Sequence, residues 1–208
     1  MRIESLKTTP DRAGRYWATF SDGTKMGLYR QTVEDFGLYI GKELEDEEYE
    51  RLQTAAGEMS AKMRAIRILS ASNVSKRDLH QRLIHKGEDP DQARKAIEWM
   101  EDLDLLDDRK TAQLIVEKCI AKGYGLARAK QTLYEKQIPK SLWDEVLADY
   151  PDQTEKIVDL LRSKLGDEWD QKDLKRAIDA AMRRGHSYHE IRRALQILQA
   201  DDDFPEEF

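Results

Sequence analysis

Hydrophobic residues recur at helical spacing through most of the chain. From about residue 45 to residue 200 they follow i, i+3, i+4, i+7 sets, as at Leu174, Ala177 and Ala181, with polar residues between them. This period is typical of helices that bury one face. A helical stretch ending in a basic residue and a helix-breaking position, followed at once by a second amphipathic helix, occurs three times. The breaker positions are residues 87, 137 and 185. A spacing of about fifty residues indicates tandem helical modules.

The first thirty residues show a different pattern, with β-favouring side chains in short runs. The candidate strands are residues 3–7, 16–20 and 25–29. The second and third runs are joined through Asp22-Gly23, a pair that favours a tight hairpin turn. Because an isolated hairpin is only marginally stable, we expect this small sheet to pack against the helix that follows it.

These patterns predict a mainly α fold of tandem three-helix, helix-turn-helix-like repeats with a small N-terminal β-hairpin or sheet extension. Ser75 and the pair Asp89-Pro90 have the sequence of helix starts, and Pro139 is expected to begin the last helix of the second module. The predicted segments are a β extension at 1–44, a linker helix with the first module at 45–106, the second module at 107–150, the third at 151–200 and an acidic tail at 201–208.

Composition narrows the class of protein. The net charge of −6 argues against a protein that binds nucleic acid over its whole surface. The helical body is nevertheless slightly basic between two acidic ends. The chain lacks an apolar run long enough to cross a membrane, and its N-terminus lacks a signal-peptide core. Cys119, the single cysteine, excludes an internal disulfide and is expected to be buried on an apolar helix face. We therefore expect a cytoplasmic protein.

The usual catalytic patterns are missing from the sequence. His80 and His85 are five residues apart, which places them on different faces of a helix, and His186 with His189 does not match a metalloprotease spacing. Gly123-Tyr124-Gly125 follows a helix and lacks the third glycine of a nucleotide-binding loop. We predict surface or boundary histidines, no enzymatic activity, no metal and no cofactor.

The basic residues offer a candidate binding surface, since several recur at matching positions of the repeats. The candidate partner- or DNA-binding residues are Arg82, Lys86, Arg128, Lys136, Arg183, Arg184, Arg192 and Arg193. One interpretation is that they form salt bridges on solvent-facing surfaces and stabilise helix C-termini. The other is a discontinuous basic stripe that meets phosphates or an acidic protein groove. Aromatic residues are sparse nearby, so sequence-specific reading of a single strand is not expected.

Three segments of the chain resemble the RecX family of regulatory proteins. Residues 75–87 read S-x-x-D-L-x-x-R-L-x-x-K-G, and residues 103–108 read L-D-L-L-D-D. Arg184-Gly185-His186, followed by Ile191 and Leu195, is similar to the third module of the family. The resemblance covers about residues 60–198, and the N-terminal sheet looks like an extension that some members carry.

The second module departs from the family pattern. Where the family often has Lys-Gly-Ile, this chain has Lys136-Gln137-Ile138. Because a residue with a Cβ, such as Gln137, disfavours positive φ, we expect the helix before it to end through Pro139 instead.

The resemblance implies an elongated, curved body that modulates the RecA recombinase. Members of the family lie in the groove of the RecA–DNA filament and usually limit its growth, which lowers strand exchange, ATP turnover and self-cleavage of the SOS repressor. They have no enzymatic activity of their own. The implied partners of this chain are the RecA filament and the DNA within it, with no membrane involved, and a monomer is expected.

The sequence leaves other functions open. A three-helix module could act as a stand-alone helix-turn-helix DNA-binding protein, although a recognition helix rich in Arg, Asn and Gln is not evident. An enzyme acting on nucleic acid lacks a visible nucleophile or metal-binding carboxylate cluster. The tail 201–208, with five carboxylates and two phenylalanines, could mimic DNA or simply keep the protein soluble.

Overall fold

A computed structural model describes residues 1–166 and 169–200 of the chain. The molecule divides into two compact units, residues 1–107 and 108–208. The predicted acidic tail, residues 201–208, lies outside the described residues. The fold class is as predicted: mainly α, with a small antiparallel sheet at the N-terminus.

The sheet of the first unit has three strands in the order β1-β2-β3. They are β1 (Ile3–Leu6), β2 (Tyr16–Phe20) and β3 (Lys25–Leu28). The turn between β2 and β3 has Gly23 at φ +84°, and the side chain of Asp22 accepts a hydrogen bond from the Thr24 N–H at 2.9 Å. The predicted strands are confirmed to within a residue at their C-terminal ends.

Four helices follow the sheet in the described part of this unit. They are α1 (Arg30–Asp35), α2 (Asp46–Ala71), α3 (Lys76–His85) and α4 (Pro90–Asp102). The predicted caps are confirmed: the Ser75 side chain accepts from the Asp78 N–H, and the Asp89 side chain accepts from the N–H groups of Asp91 and Gln92. These bonds satisfy backbone donors that the first helical turn leaves without partners.

Helix α2 belongs to two hydrophobic cores. Its N-terminal half supplies Leu52 and Ala56 to a core under the sheet, together with residues such as Phe20. Its C-terminal half supplies Ala61 and Ala65 to the core that α3 and α4 complete. The sheet therefore packs on the same helix that builds the first module, as its marginal size requires.

The second unit contains two further groups of helices. The first group is α5 (Asp108–Ala121), α6 (Leu126–Glu135), a 3₁₀ turn (Lys140–Leu142) and α7 (Trp143–Leu147). The second group is α8 (Thr154–Leu165), α9 (Gln171–Arg183) and α10 (Tyr188–Ala200). Each group has its own buried core, and Cys119 lies in the first of them at 3% exposure, as predicted.

The three breaker positions share one backbone conformation. Gly87, Gln137 and Gly185 have φ of +89°, +56° and +87°. In each turn the N–H after the breaker bonds back to a carbonyl five residues earlier: Glu88 to Leu83 at 3.1 Å, Ile138 to Leu133 at 3.0 Å and His186 to Ala181 at 3.3 Å. This is the Schellman ending of a helix.

The expectation about Gln137 was therefore wrong. Gln137 adopts the left-handed conformation despite its Cβ, because two backbone bonds close α6. The Gln137 N–H donates to the Tyr134 carbonyl and the Ile138 N–H to the Leu133 carbonyl, and matching bonds close α3 and α9. Pro139 does not begin an α-helix directly either. It precedes the 3₁₀ turn, and α7 starts only at Trp143.

Candidate anion-binding clefts

A cleft of about 420 Å³ in the first unit gathers cationic side chains from three elements. We call it the unit 1 cleft. Its cations are Arg15 beside β2, Arg64 and Arg67 on α2, Arg82 on α3, and Lys86 at the end of α3. Between them lie the small apolar surfaces of Ala13, Ile68 and Ala71.

Two of these arginines are held by carboxylates within the module. Arg82 forms a forked pair with Asp78, through Nε at 2.8 Å and a terminal nitrogen at 2.9 Å. Arg64 pairs with Glu88, which is buried and also accepts a hydrogen bond from the Ser60 hydroxyl at 3.1 Å. Forked or charge-assisted bonds of this kind fix the guanidinium groups in place.

Arg15, which lies immediately before β2, is held by Asp11 and Trp17. Its Nε donates to Asp11 at 2.9 Å, and its guanidinium lies 4.9 Å from the centre of the Trp17 ring. Gly27 on β3 makes room for this stack, since a Cβ there would lie 3.2 Å from Arg15 Cδ. Hydrogen bonds from the Arg15 backbone and side chain hold the pKa of Asp11 well below its usual value. The Asp11 carboxylate therefore stays charged and keeps Arg15 in position.

The charges of the unit 1 cleft do not balance. Arg67 donates to the hydroxyl of Tyr29 at 3.3 Å, and Lys86 is exposed. Neither contacts a carboxylate within 4.0 Å among the described residues. Three carboxylates therefore meet five cations, and the cleft keeps a net positive charge.

A second basic cleft, of about 390 Å³, lies within the second unit. We call it the unit 2 cleft. It is lined by Arg128 on α6, Lys164 on α8 and the pair Arg183 and Arg184 at the end of α9, beside Tyr124. Arg128 has a loose ionic contact with Glu135 at 3.5 Å. In the part of the chain that the structure describes, the other three cations have no carboxylate partner.

The unit 2 cleft depends on a tight junction between the α5–α6 turn and the α9–α10 turn. The Gly125 N–H donates to the Arg184 carbonyl at 2.9 Å, and His186 Nε2 lies 3.0 Å from the Gly123 carbonyl. The two glycines permit this contact: a Cβ on Gly125 would lie 2.1 Å from the Gly185 carbonyl oxygen. A Cβ on Gly185 would lie 2.3 Å from the Arg128 nitrogen. The junction thus places Arg128 beside the pair on α9.

Burial changes two pKa values at this junction. His186 is 4% exposed, against the prediction of a surface or boundary histidine, and desolvation lowers its pKa. The Tyr150 hydroxyl donates to the Tyr124 carbonyl at 2.7 Å, and burial raises its pKa to about 12. Both groups are therefore neutral near pH 7, which suits their buried position.

The remaining predicted residues lie outside both clefts. Lys136 is the exposed C-cap residue of α6, and Arg192 is exposed on α10. Arg193 pairs with Asp152 and Thr154. Sequence reasoning missed Arg15, Arg64, Arg67 and Lys164. The i, i+3 spacing of Arg64 and Arg67 was a usable signal, whereas nothing local to Arg15 links it to α2.

Features of two other functional classes are absent from residues 1–166 and 169–200. No group of three or more His, Cys, Asp or Glu side chains there is arranged to hold a metal ion. No helix in the same ranges has the length and apolar character needed to cross a membrane.

The fold and the clefts define a class of protein: three-helix modules joined to a small sheet, with open basic clefts as their candidate binding surfaces. No protein-family model matches the chain. It is 29% identical over 161 residues to the regulatory protein RecX of Vibrio campbellii, covering 74% of this chain and 99% of that one. The regulatory protein RecX of Clostridioides difficile is 26% identical over 209 residues, covering 98% and 97%.

Solved structures agree with these sequence matches. A crystal structure of regulatory protein RecX superposes with a TM-score of 0.64 at 19% identity, covering 94% of this chain and 98% of that one. RecX from Lactobacillus salivarius gives a TM-score of 0.61 at 22% identity, covering 70% and 99%. The chain is therefore similar in sequence to regulatory proteins RecX over most of its length, and similar in fold to solved RecX structures.

Proposed function

We propose that this protein binds the RecA–DNA filament and modulates its assembly and activities, mostly as an inhibitor, in recombination and the SOS response. The observation that carries the proposal is the match of nearly the whole chain, 98%, to a relative named regulatory protein RecX. The regulatory action comes from binding, without catalysis by this chain. The protein works in the cytoplasm as a monomer.

The two basic clefts are the proposed contact surfaces. The unit 2 cleft presents Arg183 and Arg184 without carboxylate partners among the described residues, beside Arg128. Such groups bind acidic protein surface or DNA phosphate, and their contacts weaken as salt rises. Of the predicted residues, Arg82, Lys86, Arg128, Arg183 and Arg184 line the clefts.

RecA ATP hydrolysis on single-stranded DNA tests the proposal, with this protein added below the RecA concentration. We expect hydrolysis to fall at substoichiometric ratios, because a protein that blocks filament growth acts on many RecA subunits. Unchanged hydrolysis, together with no co-sedimentation with filaments, would contradict it. Sub-micromolar, sequence-dependent binding to duplex DNA without RecA would favour a helix-turn-helix protein instead.

A charge-reversed pair of variants localises the contact. R183E/R184E is expected to inhibit hydrolysis less strongly than the natural protein, because it reverses two unpaired cations of the unit 2 cleft. K172E/K175E is the matched control, since it reverses two exposed cations on the same helix that do not line the cleft. Equal inhibition by both variants at low salt would remove the unit 2 cleft from the contact surface.

A further inference from the structure

The unit 1 cleft joins two parts of the chain that the repeats alone do not bring together. Arg15, immediately before β2, contributes to its lining. Cations of α2 and of the end of α3, represented by Arg67 and Lys86, also line it. The sheet therefore completes a basic cleft as well as a hydrophobic core.

Electrostatics favours an anion in this cleft. Like charges held near one another repel, and Arg67 and Lys86 have no carboxylate to offset them among the described residues. A bound anion relieves that repulsion. Arg15 contacts Asp11 through two of its guanidinium nitrogens, and Arg82 contacts Asp78 in the same way. Each guanidinium therefore has further N–H donors available for a ligand.

The shape and lining of the cleft narrow the anion to a phosphate with an attached sugar. Guanidinium forks match the oxygens of a phosphate. The apolar surfaces of Ile68 and Ala71 suit the carbons of a sugar, and about 420 Å³ exceeds what one inorganic ion needs. No aromatic ring lines the cleft among the described residues, so a base would not be stacked there.

We propose that the unit 1 cleft binds the sugar-phosphate backbone of a nucleic-acid strand, independently of base sequence, and that Arg15 of the N-terminal sheet is one of its phosphate ligands. Asp11 and Trp17 act on the site only by positioning Arg15. This inference rests on the proposed function, in which the unit 1 cleft contacts the RecA–DNA filament, and it names the nucleic-acid strand as the part of the filament that this cleft binds.

Fluorescence anisotropy of a labelled oligo(dT), measured with the full chain across a salt series and without RecA, tests the site. R67A/K86A is expected to bind more than about tenfold more weakly at low salt. The magnitude of the negative slope of log K against log salt should decrease by about 1.4, which corresponds to two lost single-strand phosphate contacts. R15A should decrease this magnitude by about 0.7, and R15K should recover only part of the affinity because a lysine cannot form the fork.

The matched control is K25A/R51A, which removes two exposed cations of the same unit that do not line the cleft and that have no carboxylate partner within 4.0 Å among the described residues. It should leave the affinity and the slope close to those of the natural protein. Circular dichroism melting confirms that each variant is folded. If R67A/K86A and the control behave alike, the cleft is not the binding site.

Two competitors distinguish the ligand classes. Unlabelled oligo(dT) should displace the probe from the natural protein at concentrations where inorganic phosphate and poly-glutamate do not. If millimolar inorganic phosphate displaces the probe as effectively, the ligand is a free phosphate ion and the strand assignment fails. If poly-glutamate displaces the probe best and R67A/K86A loses poly-glutamate binding most, the cleft binds an acidic protein.

Discussion

The turns at Gly87 and Gly185 have nearly the same backbone and very different surroundings. Both end a helix in a Schellman turn, with φ of +89° and +87°. A Cβ on Gly87 would meet no atom within 4 Å, whereas a Cβ on Gly185 would lie 2.3 Å from the Arg128 nitrogen. Glycine is needed at the first position for its conformation alone, and at the second for space as well. Repetition in sequence thus repeats the local turn but not its neighbours.

The buried residue after each turn differs in the same way. Glu88 pairs with Arg64 and so contributes a charge to the unit 1 cleft. His186 lies 3.0 Å from the Gly123 carbonyl and so ties two groups of helices together. One position of the repeat has therefore become part of an ionic site in one unit and part of a junction in the other.

Replacing Gly185 with alanine should have the largest effect. The added Cβ overlaps the Arg128 backbone and is also strained at φ +87°, so we expect the free energy of unfolding to fall by about 3 kcal/mol or more. Urea unfolding of the full chain measures it. A loss below about 1 kcal/mol would mean that the two turns of the second unit do not pack as closely as the structure has them.

Replacing Gly87 with alanine should cost less. Only the backbone conformation is strained there, so we expect a loss of about 1–2 kcal/mol. The same urea experiment compares the two variants directly. Equal losses for G87A and G185A would contradict the difference in packing between the two turns.

Acidification should weaken the junction at His186 without touching the turn at Gly87. Burial lowers the His186 pKa in the folded state below its value of about 6.5 in the unfolded chain, so the unfolded state takes up the proton first. The stability that comes from keeping this ring neutral is therefore complete above about pH 6.5. It is lost progressively as the pH falls from there towards the lowered pKa of the folded state.

Thermal melting between about pH 8 and about pH 5 measures this dependence, since that range spans the ordinary histidine pKa. The other charged groups near the ring are Glu190, which favours the protonated form, and Arg184, which opposes it. H186N keeps an amide that can donate to the Gly123 carbonyl and removes the titration. If H186N and the natural protein show the same pH dependence of stability, groups other than His186 cause that dependence.

Replacing Gln137 with glycine should have the smallest effect. Glycine removes the strain of a Cβ at φ +56°, so we expect the protein to gain up to about 1 kcal/mol, offset by any loss of the glutamine side chain's own contacts. Q137A is the matched control, because it removes those contacts and keeps the strain. If Q137G is no more stable than Q137A, the left-handed backbone at position 137 is not strained.

Sequence reasoning succeeded where the signal was local. The caps at Ser75 and Asp89 and the turn at Asp22-Gly23 depend on bonds within a few residues, and all three were predicted. The helical repeats were predicted from periodicity because every core face repeats at the same spacing. Arg82 and Lys86 were recognised as candidates for the same reason.

What the sequence did not reveal depends on contacts between distant segments. Arg15 is far in sequence from Arg67, and only the packing of the sheet on α2 brings them into one cleft. Gly125 reads as an ordinary helix-breaking residue, and its role appears only when Gly185 lies against it. Gln137 shows the opposite error, since backbone hydrogen bonds overrode the preference of its side chain.

Because α2 is continuous, it fixes the rotation and the axial position of the sheet relative to the first module. Because Leu52 and Ala65 belong to different cores on one uninterrupted helix, inserting a single residue between them would turn the sheet by about 100° and advance it by about 1.5 Å. Arg15 would then leave the unit 1 cleft while both cores kept their residues. Insertions or deletions in α2 between the sheet and the first module should therefore be tolerated only when they add or remove close to whole helical turns. The length of this helix thus determines whether Arg15 reaches the unit 1 cleft.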